Sequence, residues 1–198
     1  MASISSYISS YNWPLVLTAE PITLRPLRLR DRWRWERIRA ENRAWLSPWE
    51  ATHPRVPSEA STHKLPSFRA MVSSHRQEGR AGRAITLAIW YQKKMVGQIS
   101  LGGIIYGAGR MAHIGYWIDK RYANLGITTK AVETLTEYAF SGLELHRIEI
   151  NIRPENISSR KVAEKAGFIF EGERPRFLHI DGQWRDHLCF VRENPNIS

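Results

Sequence analysis

Apolar runs separated by polar turns predict a set of strands in the middle of the chain. Residues 85–92, 96–105 and 112–118 form such runs, and the turns between them fall at Lys93-Lys94 and at Gly107–Gly109. Short apolar runs bounded by polar and glycine-containing turns are typical of consecutive antiparallel strands. We therefore expect a three-stranded antiparallel unit here.

Apolar positions three and four residues apart predict four helices around these strands. The helices run from Asp31 to about Trp45, from Ser58 to about His75, from Thr128 to Ala139 and from Asn156 to Gly167. Asp31, Ser58 and Asn156 are residue types that favour the N-cap position. The segment Arg147–Ile152 alternates polar and apolar residues, so it is predicted to be a strand between the last two helices.

A second hairpin is predicted at the end of the chain. Its strands are 168–180 and 183–192, and they are joined at Asp181-Gly182. The order of these elements indicates an α+β fold, and no linker divides the chain. The serine-rich residues 1–20 are expected to form a flexible extension.

A turn after the third of these strands has the features of a phosphate site. The strand ends at Tyr116-Trp117-Ile118, and the turn contains Asn124 and Gly126, two residue types that reach the left-handed backbone region. The turn runs directly into a helix, which aims unpaired backbone N–H groups at an anion. Asn156 opens another helix after the next strand, so two helix N-termini follow two successive strands.

These two segments resemble the GNAT superfamily of N-acetyltransferases, and within it the RimJ/RimL-like ribosomal-protein N-acetyltransferases. The phosphate loop of the superfamily, Gln/Arg-x-x-Gly-x-Gly/Ala, aligns with Arg121-Tyr-Ala-Asn-Leu-Gly126. Its Asn-x-x-Ser followed by Gly-Phe aligns with Asn156, Ser159 and Gly167-Phe168. Asn124 stands where the first loop glycine is usual, and asparagine can adopt the same left-handed conformation. The resemblance extends from about Pro21 to Glu193.

The resemblance implies a first strand from Ile22 and one α+β domain over residues 21–195. It implies a mixed sheet of about seven strands with a splayed central pair, about four flanking helices, and acetyl-CoA as the cofactor. It also implies direct attack of an amine on the thioester in a ternary complex, with the thioester carbonyl against backbone N–H groups of the strand that ends at Ile118. The residues that it places at the cofactor are Trp117, Ile118, Asp119, Arg121, Asn124, Leu125, Gly126, Ile127, Thr128, Asn151, Asn156 and Ser159.

Two residues are the candidates for catalytic proton handling. Ser159 is expected to hydrogen-bond the departing sulfur, because its helix start lies beside the thioester and no tyrosine occurs in 154–169. His113, on the splayed strand, is the candidate base, with Glu41 and Glu50 as alternatives. An N-terminal α-amine has a reference pKa of about 8, so a weak base suffices for it.

The superfamily places its acceptor groove at the loop between the first two helices, which here is aromatic and interrupted by proline. This implies acceptor contacts by Glu41, Trp45, Trp49 and Glu50. We expect the acceptor to be the N-terminal α-amine of a protein, in particular a ribosomal protein. Two alternatives stay open: a small amine such as an aminoglycoside or a polyamine, and a non-catalytic acyl-CoA- or RNA-binding module.

The formal net charge of +10 raises the question of nucleic-acid binding. Arginines crowd residues 25–43, and Trp33, Trp35 and Trp45 lie among them. On a helix that turns Trp35, Ile38 and Trp45 inward, however, most of these arginines form one solvated face. We favour that interpretation and expect no sequence-specific nucleic-acid binding. Association with the ribosome stays open, because a positive surface attracts any polyanion.

Cysteine and histidine usage argues against disulfide and metal chemistry. Cys189 is the single cysteine, so it cannot form an internal disulfide, and we expect a buried structural thiol. The seven histidines lack the spacing of a metal site, and no metal is expected. No apolar run approaches the about 20 residues of a membrane span, and the N-terminus lacks a signal-peptide pattern. We therefore expect a soluble, cytoplasmic protein.

Overall fold

Eight strands form one mixed sheet in the computed structural model, which describes residues 13–54 and 66–197. They are β1 (Leu17–Ala19), β2 (Ile22–Arg25), β3 (Ile85–Tyr91), β4 (Lys94–Ile105), β5 (Met111–Ile118), β6 (Arg147–Ile152), β7 (Ile169–Ile180) and β8 (Gln183–Glu193). Across the sheet they lie in the order β1-β2-β3-β4-β5-β6-β8-β7. Neighbouring strands are antiparallel except β5 and β6, which are parallel.

Five helices accompany this sheet in the described part of the chain, so the predicted α+β fold class is confirmed. They are α1 (Arg32–Glu41), α2 (Arg43–Leu46), α3 (Phe68–Arg80), α4 (Ile127–Ser141) and α5 (Ile157–Lys165). The predicted helix from Asp31 to Trp45 is interrupted at Asn42, which is buried. Its side chain donates to the Ile38 carbonyl at 3.0 Å and accepts from the backbone N–H of Lys120 at 2.9 Å. The break therefore serves a contact with a distant part of the chain.

Two predicted helix starts need correction or fall outside the described residues. Asp31 precedes α1, but its carboxylate does not cap the helix. It accepts hydrogen bonds from the Arg25 guanidinium at 2.8 and 3.1 Å and from the Arg28 backbone N–H at 2.9 Å. The predicted start at Ser58 lies outside the described residues. Within them α3 begins at Phe68, where the Ser67 hydroxyl oxygen caps it by accepting from the Ala70 N–H at 3.2 Å.

The N-terminal segment joins the sheet earlier than the expected boundary at residue 21. Leu15 is buried, and β1 pairs with β2 through three residue pairs, from Leu17 with Leu24 to Ala19 with Ile22. The strand was missed because three residues are too few for an alternating pattern to be recognised. Residues 1–12 of the predicted extension lie outside the described residues.

Helices cover both faces of the sheet and leave a gap between two strands. The larger core cluster lies between the sheet and helices α4 and α5, and includes Val132, Leu135 and Ala163. A smaller cluster packs α1 and α3 on the other face through Ile38 and Phe68. Strands β5 and β6 pair only over three residues at their beginnings, 111–113 with 147–149. The predicted splay of this pair is therefore present, and it opens a cleft through the sheet.

None of the described helices is long and apolar enough to cross a membrane.

Candidate active site

A cleft of about 990 Å³ opens where β5 and β6 separate. Its walls come from residues distant in sequence, namely 45, 46, 49–51, 98–100, 115–118, 122–124, 126–129, 155–159, 161, 162 and 165, with Arg39 of α1. From residue 114 onward no described strand pairs with the β6-facing edge of β5. Backbone groups on that edge are free to bond a ligand in the cleft.

The turn before α4 has the backbone that its sequence predicts. Asn124 and Gly126 are both left-handed, with φ of 62° and 75°. Gly126 immediately precedes α4, and Ile127, Thr128 and Thr129 line the cleft. The first N–H groups of a helix have no partner within the helix, and the helix dipole is positive at this end. The turn is therefore a preformed seat for a phosphate group.

Three residues predicted to touch ligands stabilise this turn and do not line the cleft. The Asp119 carboxylate is buried and accepts from the Arg121 backbone N–H at 3.0 Å and from its guanidinium at 2.5 Å. The guanidinium also donates to Glu41 at 2.8 Å. Burial alone would raise the pKa of Asp119, but the Arg121 hydrogen bonds outweigh it and lower that pKa. Asp119, Arg121 and Glu41 therefore form one ion-pair network beside the cleft, and their predicted contacts with cofactor and acceptor stay predictions.

Two more predicted cofactor residues also lie outside the lining of the cleft. Leu125 is 60% exposed and is not among the residues that line the cleft. Asn151 lies on β6, and its Oδ1 atom is buried with no hydrogen-bond partner among the described residues. The other predicted cofactor residues, Trp117, Ile118, Asn124, Gly126, Ile127, Thr128, Asn156 and Ser159, all line the cleft.

Helix α5 presents Ser159 to the cleft from the side opposite the phosphate seat. Asn156 caps the helix as predicted, because its Oδ1 accepts from the Ser159 N–H at 3.1 Å. The Tyr116 hydroxyl on β5 donates to the Ser159 backbone carbonyl at 3.2 Å and so bridges the gap between β5 and α5. Burial raises the pKa of Tyr116, which therefore stays protonated. The sequence analysis did not identify this role of Tyr116.

The acceptor end of the cleft is built from aromatic and charged side chains. Trp45, Trp49 and Glu50, the residues predicted to contact the acceptor, line it. The Trp45 indole N–H donates to the Ile118 carbonyl at 3.1 Å, which ties this wall to the end of β5. Glu50 forms an ion pair with Arg39. This end therefore offers flat apolar surface beside one carboxylate.

Arg39 does not belong to the solvated arginine face on which the sequence placed it. Its guanidinium lies 5.7 Å from the Trp35 ring centre and 5.3 Å from that of Trp117, within the range of cation–π contacts. The place of Arg39 in the helical pattern, next to Ile38, does not predict its contact with Trp117, because Trp117 lies on β5. Arg39 is a site residue that only the tertiary structure reveals.

His113 does not line the cleft. Its ring lies against Gly102 and Gly103 of β4, where an added Cβ would come within 2.9 and 2.8 Å of ring atoms. Partial burial lowers the pKa of His113, and the negative charge of Glu149 partly opposes that shift. The described geometry favours a structural position for this histidine.

A group of potential metal ligands, Glu149, Glu171 and Cys189, lies on the sheet outside the cleft. Both carboxylates already bind arginine: Arg147 donates to Glu149 at 2.8 Å and also to Glu171, and Arg174 lies 2.7 Å from Glu149. Burial raises the pKa of the Cys189 thiol to about 11. These contacts make the group an internal ion-pair cluster with an unreactive thiol.

Comparison with known proteins agrees with this geometry. A family model described as an acetyltransferase (GNAT) domain matches residues 22–169. The probable N-acetyltransferase YjcK of Bacillus subtilis is 44% identical over 103 residues, which are 52% of this chain and 57% of that protein. The [ribosomal protein uS5]-alanine N-acetyltransferase of Escherichia coli is 28% identical over 183 residues, 91% of each chain.

A solved structure gives the same result at the level of the fold. Mycobacterium smegmatis RimJ in complex with CoA-disulfide is similar with a TM-score of 0.81 and 36% sequence identity. The similarity covers 91% of this chain and 88% of that one.

Gly126→Val tests the phosphate seat. The left-handed φ of Gly126 is strained for a β-branched side chain, and the added methyl groups would also occupy the seat. We expect the dissociation constant for coenzyme A, measured by calorimetry, to rise at least tenfold, or about 1.4 kcal/mol.

Gly107→Val is the matched control for this substitution. Gly107 has nearly the same φ, 74°, and, like Gly126, no atom within 4 Å of an added Cβ, but it lies in the turn between β4 and β5. We expect this variant to lose stability without losing affinity for coenzyme A. Unchanged affinity in a folded Gly126→Val protein would contradict the assignment of the seat.

Proposed function

Because the chain belongs to the GNAT acetyltransferase family, we propose that it transfers the acetyl group of acetyl-CoA to the N-terminal α-amine of a protein, specifically a ribosomal protein. The observation that supports this most strongly is the single cleft that joins a phosphate seat to an aromatic acceptor groove across the splayed strands. The similarity to an enzyme named for ribosomal protein uS5 and to RimJ supports the ribosomal acceptor.

The phosphate seat and the strand edge divide the recognition of acetyl-CoA between them. The N–H groups at 126–129 bind the pyrophosphate, and the unpaired edge of β5 bonds the pantetheine arm and the thioester carbonyl. Backbone donors on that edge would stabilise the oxyanion that forms when the carbonyl carbon becomes tetrahedral. CoA-disulfide in the complex of the M. smegmatis relative supports this choice of cofactor.

The transfer replaces the C–S bond of the thioester with a C–N bond and removes one proton from the amine. The neutral amine nitrogen attacks the thioester carbon, a C–N bond forms, the C–S bond breaks, and coenzyme A leaves as a thiolate. Ser159 hydrogen-bonds that sulfur and supports its protonation. Glu50 attracts the incoming ammonium group and accepts the proton that the amine loses.

The charges of the cleft favour a peptide over a polyamine as acceptor. Among the described lining residues, Glu50 and Glu155 are the only carboxylates, against the cations Arg39, Lys161 and Lys165. A polyamine carries several positive charges and needs several carboxylates to offset their desolvation. A peptide N-terminus brings only one positive charge, which would share the Glu50 carboxylate with Arg39, and its first side chains can pack on Trp45 and Trp49.

The exposed surface formed by α1 and by Arg30 in the turn just before it, here called the α1 face, supports association with the ribosome, which would also place the reaction in the cytoplasm. Arg30 and Arg34 are exposed and form no ion pair with any described residue, and Trp33 is 68% exposed. Arg32 and Arg37 pair with Glu36 and Glu41 at 2.8 and 2.7 Å, so only part of the face carries uncompensated charge. Such a face attracts a polyanionic particle without reading its sequence.

The proposed acceptor class can be tested by thiol release from acetyl-CoA with a panel of amines. We expect peptides with the N-terminal sequences of ribosomal proteins to be acetylated with a kcat/KM at least 100-fold above that of spermidine or an aminoglycoside. Peptides whose α-amine is blocked but which contain lysine should not react, because the lysine amine is almost fully charged at neutral pH.

The Glu50→Gln variant refines this test, because it keeps the size of the side chain and removes its charge. We expect its kcat/KM for the best peptide to fall about tenfold at an unchanged acetyl-CoA dissociation constant. A preference for spermidine over every peptide would contradict the proposed acceptor, and full activity of Glu50→Gln would exclude the role of this carboxylate.

Ser159→Ala tests the leaving-group step. The serine hydroxyl bonds sulfur more strongly as negative charge develops, so its loss should lower kcat about 10- to 100-fold, or 1.4–2.7 kcal/mol. Binding of acetyl-CoA should change little, because the hydrogen bond to the uncharged thioester sulfur is weak. Single-turnover kinetics and calorimetry measure the two quantities.

Ser141→Ala is the control for that variant. Its hydroxyl donates to the Glu137 carbonyl at 2.8 Å near the end of α4, outside the cleft. We expect wild-type kcat from it. A Ser159→Ala enzyme with wild-type kcat would show that the thiolate leaves without this hydrogen bond.

Reversal of charge at Arg30 and Arg34 tests ribosome association. We expect the double glutamate variant to bind ribosomes at least tenfold more weakly at low salt, with a smaller difference as ionic strength rises. Its kcat/KM for a short neutral peptide should stay within twofold of wild type, because neither residue lines the cleft. Co-sedimentation at several salt concentrations measures the binding.

Arg69→Glu with Arg80→Glu is the control, since both residues are exposed on α3 and the change in net charge is the same. Equal weakening by both pairs would indicate a general charge effect and would contradict a specific role for the α1 face.

A further inference from the structure

The loop that forms the acceptor wall, residues 45–52 and here called the acceptor loop, is fixed to the rest of the fold from three directions. At its start Trp45 bonds the Ile118 carbonyl. At its end it is hydrogen-bonded to the hairpin of β7 and β8. The Asp181 N–H donates to the Glu50 carbonyl at 3.2 Å, and the Thr52 N–H donates to the His179 carbonyl at 2.9 Å. The third attachment, in the middle, comes from Arg153.

Arg153 follows the last residue of β6, and its side chain is only 12% exposed. Its Nη1 donates to the Pro48 carbonyl at 2.7 Å, and its guanidinium carbon lies 5.3 Å from the Trp49 ring centre. Its Nε lies 3.3 Å from Oε2 of Glu155, which makes an ion pair but no hydrogen bond, because this Nε is buried without a hydrogen-bond partner among the described residues. One guanidinium therefore contacts both the acceptor loop and the residue before the cap of α5.

These contacts place Arg153 between the two halves of the reaction. Trp49 lines the acceptor end of the cleft, and Glu155 lines the other side, one residue before Asn156, whose side chain fixes the Ser159 N–H. A buried charge is costly unless its hydrogen bonds are directed at partners. Here Arg153 donates one hydrogen bond to the acceptor loop and forms an ion pair with Glu155 before α5. The separation of these two segments sets the distance between the acceptor amine and the leaving group.

We infer that Arg153 is a positioning residue that holds the acceptor loop at a fixed distance from the start of α5. Binding and acetylation of the acceptor therefore depend on Arg153, whereas binding of the cofactor does not. The inference rests on the proposed function for its kinetic consequence. The planar guanidinium is essential to it, because only a fork can meet a carbonyl, a ring face and a carboxylate together. A lysine can keep the charge and satisfy one of the three.

Arg153→Lys and Arg153→Met test the inference with acetyl-CoA and the best peptide of the panel. We expect the methionine variant to raise the peptide KM at least tenfold and to lower kcat several-fold, and the lysine variant to recover part of both losses. The acetyl-CoA dissociation constant should stay within twofold, because Arg153 contacts no part of the phosphate seat. The slow hydrolysis of acetyl-CoA without an acceptor should also be unchanged.

Hydrogen exchange gives a readout that does not depend on which acceptor is correct. Amides of the acceptor loop, Thr52 among them, should exchange faster in Arg153→Met, while those of α4 keep their protection. Arg160→Met is the control, because Arg160 lies on α5 and its Nη1 reaches the Pro154 carbonyl at 3.4 Å without touching the loop. We expect wild-type kinetics and exchange from it.

Two results would overturn the inference: wild-type peptide KM and loop exchange in Arg153→Met, or a loss of acetyl-CoA affinity as large as the loss of peptide affinity. If the methionine variant does not fold, the lysine variant carries the same test. Failure of the wild-type enzyme to acetylate any peptide would instead contradict the proposed function, and the exchange experiment would still decide the role of Arg153.

Discussion

The early end of pairing between β5 and β6 is the constraint on which the site depends. Each strand is held along its other edge, β5 by β4 and β6 by β8, so the sheet remains stable although the facing edges separate after three residue pairs. Separation costs backbone hydrogen bonds, and the edge that loses them becomes a donor surface for a ligand. Tyr116 spans the gap through its bond to the Ser159 carbonyl. The same opening therefore creates the cleft and fixes the helix that completes it.

A polar network with buried Asn42 and Asp119 at its centre and exposed Arg121 and Glu41 at its edge joins the acceptor-side helix to the cofactor-side turn. Asn42 breaks the helix and bonds Lys120, and the next residue along, Arg121, bonds Asp119 and Glu41. Buried polar groups are tolerated when their hydrogen bonds are satisfied, and a satisfied network has few alternative arrangements. This explains why the loop motif contains Arg121 even though its guanidinium does not face the cleft. The side chain holds the shape of a turn whose backbone does the binding.

Local sequence signals predicted the elements that depend on local physics. The strand Arg147–Ile152, the Asn156 cap, the left-handed Asn124 and the Asp181-Gly182 turn all follow from periodicity or from the backbone preference of one residue, and all are confirmed. The features that the sequence analysis did not predict depend on contacts with residues far along the chain. Asn42 leaves the helix because of a residue 78 positions away. Arg39 enters the cleft because a ring of β5 lies beneath it, and no helical pattern contains that information.

The two ends of the cleft bind by different kinds of group, and this difference bears on how acceptors can be distinguished. The phosphate seat uses backbone N–H groups, which every residue except proline provides, so it tolerates Asn124 in place of a glycine as long as the backbone keeps its shape. The proposed acceptor end is lined by the side chains of Trp45, Trp49, Glu50 and Arg39, and a single substitution changes each of them. Acceptor preference can therefore vary within the acceptor loop without altering cofactor binding, provided that the attachments of the loop keep it at the same distance from Ser159.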